Sequence, residues 1–222
     1  MKHLAGIKRK AIILVGPPSV GKSTWIKKNF FPDAYIINRD NIVEEIAQSY
    51  GWTYDEMFTS PPEDAKIGDF DEKFGTVIDS PQWMKDRLFK DTTFDRTLEA
   101  NDKVKKFLDK MISGAHPSGS DIVIDMTNMD KISRADALVA IEGYEDDYYK
   151  IAVDFKFKGA EDIIKKLSKK RAELAARMGK NKNIPEFVFD KMFSMYEEPS
   201  TSEGFDKIIS IDNVDVLKKA LG

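Results

Sequence analysis

The sequence predicts an α/β fold built on a parallel β-sheet of about five strands, with helices covering both faces. Two observations carry this prediction. Short apolar runs of the length of buried strands alternate with longer segments of helical periodicity. The first run leads directly into a glycine-containing loop and then another helical segment, which is the order strand, loop, helix. Strands that alternate with helices form right-handed βαβ units, so the strands are expected to run parallel.

The elements follow from this alternation in chain order. The apolar runs predicted as strands cover residues 11–15, 34–38, 121–126, 151–157 and 207–211. The segments predicted as helices cover residues 24–30, 41–50, 95–113, 133–142, 160–178, 185–196 and 214–221. In such a sheet, ligands bind beyond the carboxyl ends of the strands. The residues that directly follow each strand are therefore the first candidates for a functional site.

Composition limits the possible classes of protein. A chain of 222 residues with 41% hydrophobic and 33% charged residues can bury one sizeable core, so we expect a single domain over residues 1–222. The chain has no cysteine, which excludes disulfides and thiolate metal sites, and its two histidines cannot make a histidine-rich site. No apolar stretch is long enough to span a bilayer, and we expect a cytoplasmic protein without a membrane partner.

The most specific motif is a complete phosphate-binding loop after the first strand. Residues 16–23 read Gly-Pro-Pro-Ser-Val-Gly-Lys-Ser, which matches G-x-x-x-x-G-K-[ST]. In this motif backbone N–H groups surround phosphate oxygens, the lysine reaches the β- and γ-phosphates, and the hydroxyl binds Mg²⁺. The sequence thus predicts a P-loop kinase fold that uses ATP and Mg²⁺; the alternative is a simple turn before a helix. The candidate cofactor-binding residues are Gly16, Pro17, Pro18, Ser19, Val20, Gly21, Lys22, Ser23 and Thr24.

A carboxylate follows the second predicted strand. Asp40 ends the run Ile36-Ile-Asn-Arg-Asp, at the start of the next helix and at the carboxyl end of a strand. A kinase acting on an alcohol needs a carboxylate that accepts the hydroxyl proton as the phosphoryl group arrives. Asp40 and Lys22 are therefore predicted catalytic residues. Asp40 could instead only cap the helix, because aspartate is a favoured N-cap residue.

A second carboxylate follows the third predicted strand. Asp125 ends the run Asp121-Ile-Val-Ile-Asp, which is the pattern of a Walker B carboxylate that binds Mg²⁺ directly or through water. Ser23 and Asp125 are the predicted magnesium ligands. A purely structural role for Asp125 stays open. The candidate substrate-binding residues at these strand ends are Arg39, Asp40, Asp125, Asn128 and Arg134.

A basic helical segment follows the fourth predicted strand, where P-loop kinases carry a lid. Residues 159–182 hold eight basic and three acidic residues, and their apolar residues keep helical spacing. A lid arginine that closes over the transferred phosphoryl group accelerates related reactions about 10³- to 10⁵-fold. Arg171 is the first candidate for this catalytic role and Arg177 the second. The alternative is that these charges are only a solvated helix face.

Residues 51–94 interrupt the alternation of strands and helices. The segment contains eight aromatic residues and ten acidic residues against five basic ones. We expect it to be an insertion over the site, partly loop and partly helix. Its aromatic residues could stack on nucleic-acid bases or could form a small core.

Four stretches of the chain resemble the polynucleotide 5′-hydroxyl kinases, particularly the kinase domain found in phage and in DNA-end repair enzymes. They are residues 16–25, the run Ile37-Asn-Arg-Asp, the run Asp125-Met-Thr-Asn, and residues 184–205. The resemblance implies that Lys22 and Ser23 bind the nucleotide, that Asp40 is the general base and that Asp125 supports the site. It implies further that Arg171 is the lid arginine and, if the chain is phage-encoded, that it acts in the host cytoplasm.

The resemblance leaves the acceptor open. Many phage members carry an arginine three residues after the base, where it grips the phosphate next to the acceptor hydroxyl, and this chain has Val43 there. The leading hypothesis is ATP-dependent phosphorylation of a 5′-hydroxyl end of RNA or DNA, with that end as the partner. The alternatives are a P-loop kinase of a small hydroxyl compound, a nucleoside or a tRNA-linked acceptor, and a nucleotide-gated binding module without turnover.

Overall fold

The computed structural model describes the sheet, the phosphate-binding loop and most of the helices. The residues described are 8–29, 31, 33–49, 92–177, 184 and 186–221, with the backbone alone for 48 and 92–101. The chain forms two compact units. The first comprises Met1–Asn41 and Leu108–Gly222, and the second comprises Ile42–Phe107.

The first unit contains a parallel sheet, as the sequence predicts. The strands are β1 (Arg9–Val15), β2 (Tyr35–Ile37), β3 (Ile122–Ile124), β4 (Tyr148–Lys156) and β5 (Lys207–Asp212). Their order in the sheet is β2-β3-β1-β4-β5, and each adjacent pair is parallel. Because β1 has β3 on one side and β4 on the other, the loop that follows β1 lies at the point where the strand order reverses. This is the position at which open α/β sheets bind ligands.

Burial explains why the central strands were recognisable in the sequence. The last five residues of β1 and all of β3 are buried, since helices cover both faces of these strands. The edge strand β5 instead combines exposed and partly buried residues and has no fully buried one. A continuous apolar run thus marks a central strand. An edge strand is less covered by helices and therefore tolerates polar residues.

Helices cover the two faces of the sheet. The helices of the described residues are α1 (Lys22–Asn29), α2 (Arg39–Ser49), α3 (Thr92–Ala115), α4 (Lys131–Leu138), α5 (Glu161–Ala176), α6 (Glu186–Ser194) and α7 (Val214–Leu221). Apolar residues of α1, α5, α6 and α7 pack in one core. Residues 108–115 of α3 and the helix α4 pack in the other core. The predicted α/β architecture with helices on both faces is therefore confirmed.

The second unit contains most of α2 and the first part of α3. Along α2 it buries Ile42, Val43, Ile46 and Ala47, which recur at helical spacing on one face. The predicted insertion at 51–94 lies outside the described residues, apart from the backbone of 92–94 at the start of α3. Among the helices described, none is long and apolar enough to cross a membrane.

Candidate active site

The phosphate-binding loop connects β1 to α1 at the strand-order reversal. A Cβ atom on Gly16 would lie 3.1 Å from Val20 Cγ1 and 3.2 Å from Phe155 Cβ, so only glycine fits there without a shift. Ser19 has a positive φ of 66°, which few residues other than glycine adopt. The loop therefore holds a backbone conformation that its packing imposes. Since α1 begins at Lys22, the N–H groups of its first turn face the loop.

Two prolines limit which amides of the loop can bind phosphate. Pro17 and Pro18 have no N–H group, so the loop's backbone donors come from Ser19 onward. The carbonyl oxygens before these prolines are engaged, because Lys22 Nζ donates to the oxygens of Gly16 at 2.7 Å and Pro17 at 2.9 Å. The ammonium group of Lys22 thus lies against the carbonyl oxygens at the start of the loop.

Lys22 lies in the field of two carboxylates. Burial lowers the pKa of its ammonium group to about 8, and the negative charges of Asp125 and Asp40 oppose this shift. Lys22 thus interacts electrostatically both with Asp40, the predicted base, and with Asp125, the predicted Walker B carboxylate. The three predicted residues come from three different strand ends of the first unit.

Asn38 links the two carboxylate-bearing segments. Its Oδ1 accepts from the N–H of Asn41 at 3.1 Å, and its Nδ2 donates to Asp125 Oδ2 at 2.9 Å. The N-cap side chain of α2 is therefore that of Asn38, and Asp40 lies within the first turn with an exposed side chain. Asn38, and not Asp40, thus occupies the N-cap position of α2. A negative charge in this turn is stabilised by the helix dipole.

The segment after β3 supports the start of the phosphate-binding loop. The Thr127 carbonyl accepts from the N–H of Gly16 at 2.9 Å, and Asn128 Nδ2 donates to the Leu14 carbonyl at 2.8 Å. Asn128 is only 2% exposed and has a φ of 46°. Its Oδ1 has no hydrogen-bond partner among the described residues. The structure therefore shows Asn128 holding β1, and its predicted contact with substrate stays a prediction.

Arg134 lies in the interior, which does not fit the prediction that it binds substrate. Its side chain is fully buried, and Nε and one terminal nitrogen bond both oxygens of Glu203, at 2.7 and 2.9 Å. The other terminal nitrogen donates to the carbonyls of Asn128, Met129 and Glu197. Because all three nitrogens donate within the protein, Arg134 ties the segment after β3 to residues 197–203 and has no free group to offer a substrate.

A buried carboxylate near the end of β4 was not among the predicted residues. Asp154 is fully buried and pairs in register with Val15. Tyr196 donates its hydroxyl to both Asp154 oxygens, at 3.0 and 2.9 Å, and Lys156 bridges Asp154 and Glu198. Burial and the charge of Asp154 raise the pKa of Tyr196. This cluster anchors the chain after α6 to the sheet.

The described part of the predicted lid, residues 159–177, contains the helix α5, which packs beside α6 and has an exposed basic face. Ile164 and Leu167 are buried on the inner side of α5, and Lys165 forms ion pairs with Glu186 and Asp190 of α6. The cations that stay exposed on α5 and at its end are Lys166, Lys169, Lys170, Arg171 and Arg177. Lys180 and Lys182 lie outside the described residues.

The guanidinium groups of Arg171 and Arg177, the two predicted lid arginines, form no hydrogen bond or ion pair with another described residue, and their catalytic role stays a prediction. Arg39, a predicted substrate-binding residue, is exposed at the start of α2. Its role also stays a prediction.

The donor set beside the loop fits Mg²⁺. Ser23 supplies an exposed hydroxyl in the first turn of α1, and Asp125 supplies a carboxylate that acts on Lys22. Mg²⁺ prefers such oxygen ligands and retains several waters, so one or two protein ligands with nucleotide phosphates suffice. No group of three or more acidic or histidine residues that could hold a metal occurs among the described residues.

A family model matches most of the chain, and two solved structures are similar to it at low sequence identity. The model of the AAA domain family AAA_33 matches residues 12–199, which is most of the chain. A solved structure of a provisionally assigned kinase from Chloroflexus aurantiacus J-10-fl is 12% identical, with a TM-score of 0.47, and the match covers 97% of this chain and 94% of that one. A gluconokinase from Sinorhizobium meliloti 1021 is 16% identical, with a TM-score of 0.34, and the match covers 97% and 91%. No curated protein matches the chain.

Proposed function

Because this chain belongs to the AAA domain family AAA_33, a family of P-loop kinases, we propose that it transfers the γ-phosphoryl group of ATP to a hydroxyl group of a small acceptor such as a nucleoside. One observation carries the proposal. The loop lysine, Lys22, is acted on by the charges of Asp40 and Asp125, so a phosphate-binding group, a candidate base and a candidate magnesium ligand share one site. A module that only binds nucleotide has no use for the base.

Different residues of the chain bind the phosphates, hold the metal and accept the proton. Lys22 and the loop amides from Ser19 onward hold the β- and γ-phosphates. Ser23 and Asp125 would hold Mg²⁺, which neutralises phosphate charge when bound. Asp40 accepts the proton of the acceptor hydroxyl as its oxygen forms a bond to the γ-phosphorus and the bond from that phosphorus to ADP breaks. Asn38 caps the helix that carries Asp40 and also bonds the carboxylate of Asp125, so it connects the two segments.

The residue one turn after Asp40 supports a small acceptor. Many phage polynucleotide kinases, the family that the chain resembles, grip the phosphate next to the acceptor hydroxyl with an arginine three residues after the base. In this chain that position is Val43, which is 1% exposed and has no polar group for a phosphate. An acceptor without an adjacent phosphate is therefore compatible with the residues present.

A second candidate acceptor is the 5′-hydroxyl end of RNA or DNA. The exposed cations of α5, which include Lys166, Lys169 and Lys170, favour it because they form a positive surface next to the predicted lid arginine, Arg171. Such a surface attracts a phosphate backbone and makes binding depend on salt. The net charge of −3 and the valine at position 43 favour the smaller acceptor.

The test of the proposed function is phosphate transfer from γ-labelled ATP to a panel of nucleosides, sugars, small alcohols and 5′-hydroxyl oligonucleotides. We expect turnover with a small acceptor, and a KM for that acceptor that does not change with salt. Preferred labelling of the oligonucleotide, with a KM that rises with salt, would establish the second candidate instead. ATP binding without transfer to any acceptor would favour the binding module.

The variant Asp40→Asn tests the assignment of the base. It keeps the shape of the side chain and removes the proton acceptor, so we expect ATP affinity to be unchanged and kcat to fall by about 10²-fold or more. Glu45→Gln is the matched control, because it removes an exposed carboxylate from the same helix. Equal activity of the two variants would contradict a catalytic role for Asp40.

A further inference from the structure

The end of the phosphate-binding loop is held by a side chain from the other end of the chain. Asn213 follows β5 and directly precedes α7, and its Nδ2 donates to the carbonyl oxygen of Val20 at 3.0 Å across 193 sequence positions. The same side-chain nitrogen also lies close to Gly21, the residue after Val20. A Cβ atom built on Gly21 would lie 3.1 Å from the same Nδ2.

This hydrogen bond fixes the direction of a loop amide. The carbonyl of Val20 and the N–H of Gly21 belong to one trans peptide plane, and in such a plane the two groups point in opposite directions. Anchoring the oxygen to Asn213 therefore turns the N–H of Gly21 away from Asn213. The side chain of Val20 is fully buried in the core. Because this packing holds the residue before the peptide bond in place, it opposes rotation of the Val20–Gly21 peptide. Gly21 has a φ of 113°, so its own backbone preference does not hold this orientation.

The amide of Asn213 has no part in capping α7. The side chain of Asp212 accepts from the N–H of Val214 at 3.1 Å, and the N–H of Leu217 bonds the backbone oxygen of Asn213. Two neighbouring side chains thus have separate partners. Asp212 caps the helix α7, and Asn213 binds the phosphate-binding loop.

We propose that Asn213 is a positioning residue of the phosphate site, which holds the Val20–Gly21 peptide so that the N–H of Gly21 is presented to nucleotide phosphate. The proposal rests on the nucleotide binding of the proposed function and adds a residue that does not itself touch the reacting atoms. It is supported by the bond to Val20, the close approach at Gly21 and the separate cap at Asp212.

The test compares Asn213→Ala and Asn213→Asp with Asp212→Ala as the matched control. Titration calorimetry measures the Kd of Mg·ATP and of tripolyphosphate, kinetics measures both KM values, and a melting curve measures stability. Loss of one neutral hydrogen bond should weaken the binding of both ligands about 3- to 10-fold in Asn213→Ala. Asn213→Asp should weaken it more, because a carboxylate then faces the Val20 carbonyl. The KM for ATP should rise and the KM for the acceptor should not.

The control separates positioning from general destabilisation. Asp212→Ala should lower the melting temperature through loss of the cap while the Kd values stay at the wild-type level. Wild-type affinity in both Asn213 variants would overturn the proposal. An equal rise of the two KM values would also overturn it, because that pattern is expected of a purely structural residue. Failure of the wild-type protein to bind Mg·ATP or tripolyphosphate would refute the proposed function and this inference together.

Discussion

Replacing Arg134 by methionine should destabilise this protein far more than replacing an exposed arginine. The guanidinium is fully buried, shares two bonds with Glu203 and satisfies three backbone carbonyls. Removing one partner of a buried ion pair costs about 3 to 5 kcal/mol, because the other charge is left buried without compensation. For a chain of this size about 1 kcal/mol lowers the melting temperature by roughly 2 to 4 °C. We therefore expect a decrease of roughly 6 to 20 °C.

Thermal and urea unfolding with matched variants measure this effect. Arg171→Met removes an exposed guanidinium and should change the free energy of unfolding by less than about 0.5 kcal/mol. The double variant Arg134→Met/Glu203→Leu should be less destabilised than the two single changes added together, because it leaves no unpaired charge. Additive effects, or equal melting temperatures of Arg134→Met and Arg171→Met, would refute the reasoning.

The same pair predicts a pH dependence. Burial raises the pKa of Glu203, but its hydrogen bonds from Arg134 and from the N–H of Ser200 outweigh burial and leave the pKa below its ordinary value. A carboxylate with a lowered pKa stabilises the fold above the pKa of the unfolded chain, and this contribution is lost as the pH falls through the lowered value. The difference in unfolding free energy between the wild type and Glu203→Gln should therefore begin to decrease below about pH 4 and should vanish once the pH is below the lowered pKa of Glu203.

Three further predictions concern the site and its supports. Because the pKa of Lys22 is about 8, about half of this amine is neutral at pH 8 against about 0.3% of an ordinary lysine. Its rate of labelling by acetic anhydride, followed by mass spectrometry, should have a midpoint near pH 8, and a midpoint above pH 10 would contradict the assignment. Arg171→Ala should lower kcat more than it raises the KM for ATP, whereas an effect at Arg177 alone would move the lid role there. Tyr196→Phe removes the hydroxyl bonded to Asp154 and should lower the unfolding free energy by about 1 to 3 kcal/mol in urea; an unchanged midpoint would argue against this anchor.

The fold could be predicted because its signals are local. The central strands β1 and β3 are buried on both faces, and this burial produces the apolar runs that the sequence shows. The phosphate-binding loop is a contiguous motif, and its position after β1 follows from the chain order alone. The limits of α4 were less predictable. Its predicted span of 133–142 is a helix over Lys131–Leu138 followed by a 3₁₀ turn over Val139–Ile141.

The supports of the site could not be predicted because each depends on a distant partner. Asn38 reaches Asp125 across 87 positions, and Asn213 reaches Val20 across 193. An asparagine near a strand end has the same local pattern whether it holds a carboxylate, a carbonyl or water. Arg134 illustrates the difficulty, since an arginine after Asp125-Met-Thr-Asn suggests an anion site, and only the fold shows that its anion is Glu203.

The long reach of Asn213 bears on how the protein acquires its phosphate site during synthesis. The loop is synthesised first, and the residue that fixes its Val20–Gly21 peptide is made 193 positions later. At translation rates of about 5 to 20 residues per second, the two events are separated by roughly 10 to 40 seconds. A nascent chain that already carries the complete motif therefore lacks its final support. On the inference drawn above, the full affinity for nucleotide is reached only when β5 has joined the sheet and Asn213 has bonded Val20.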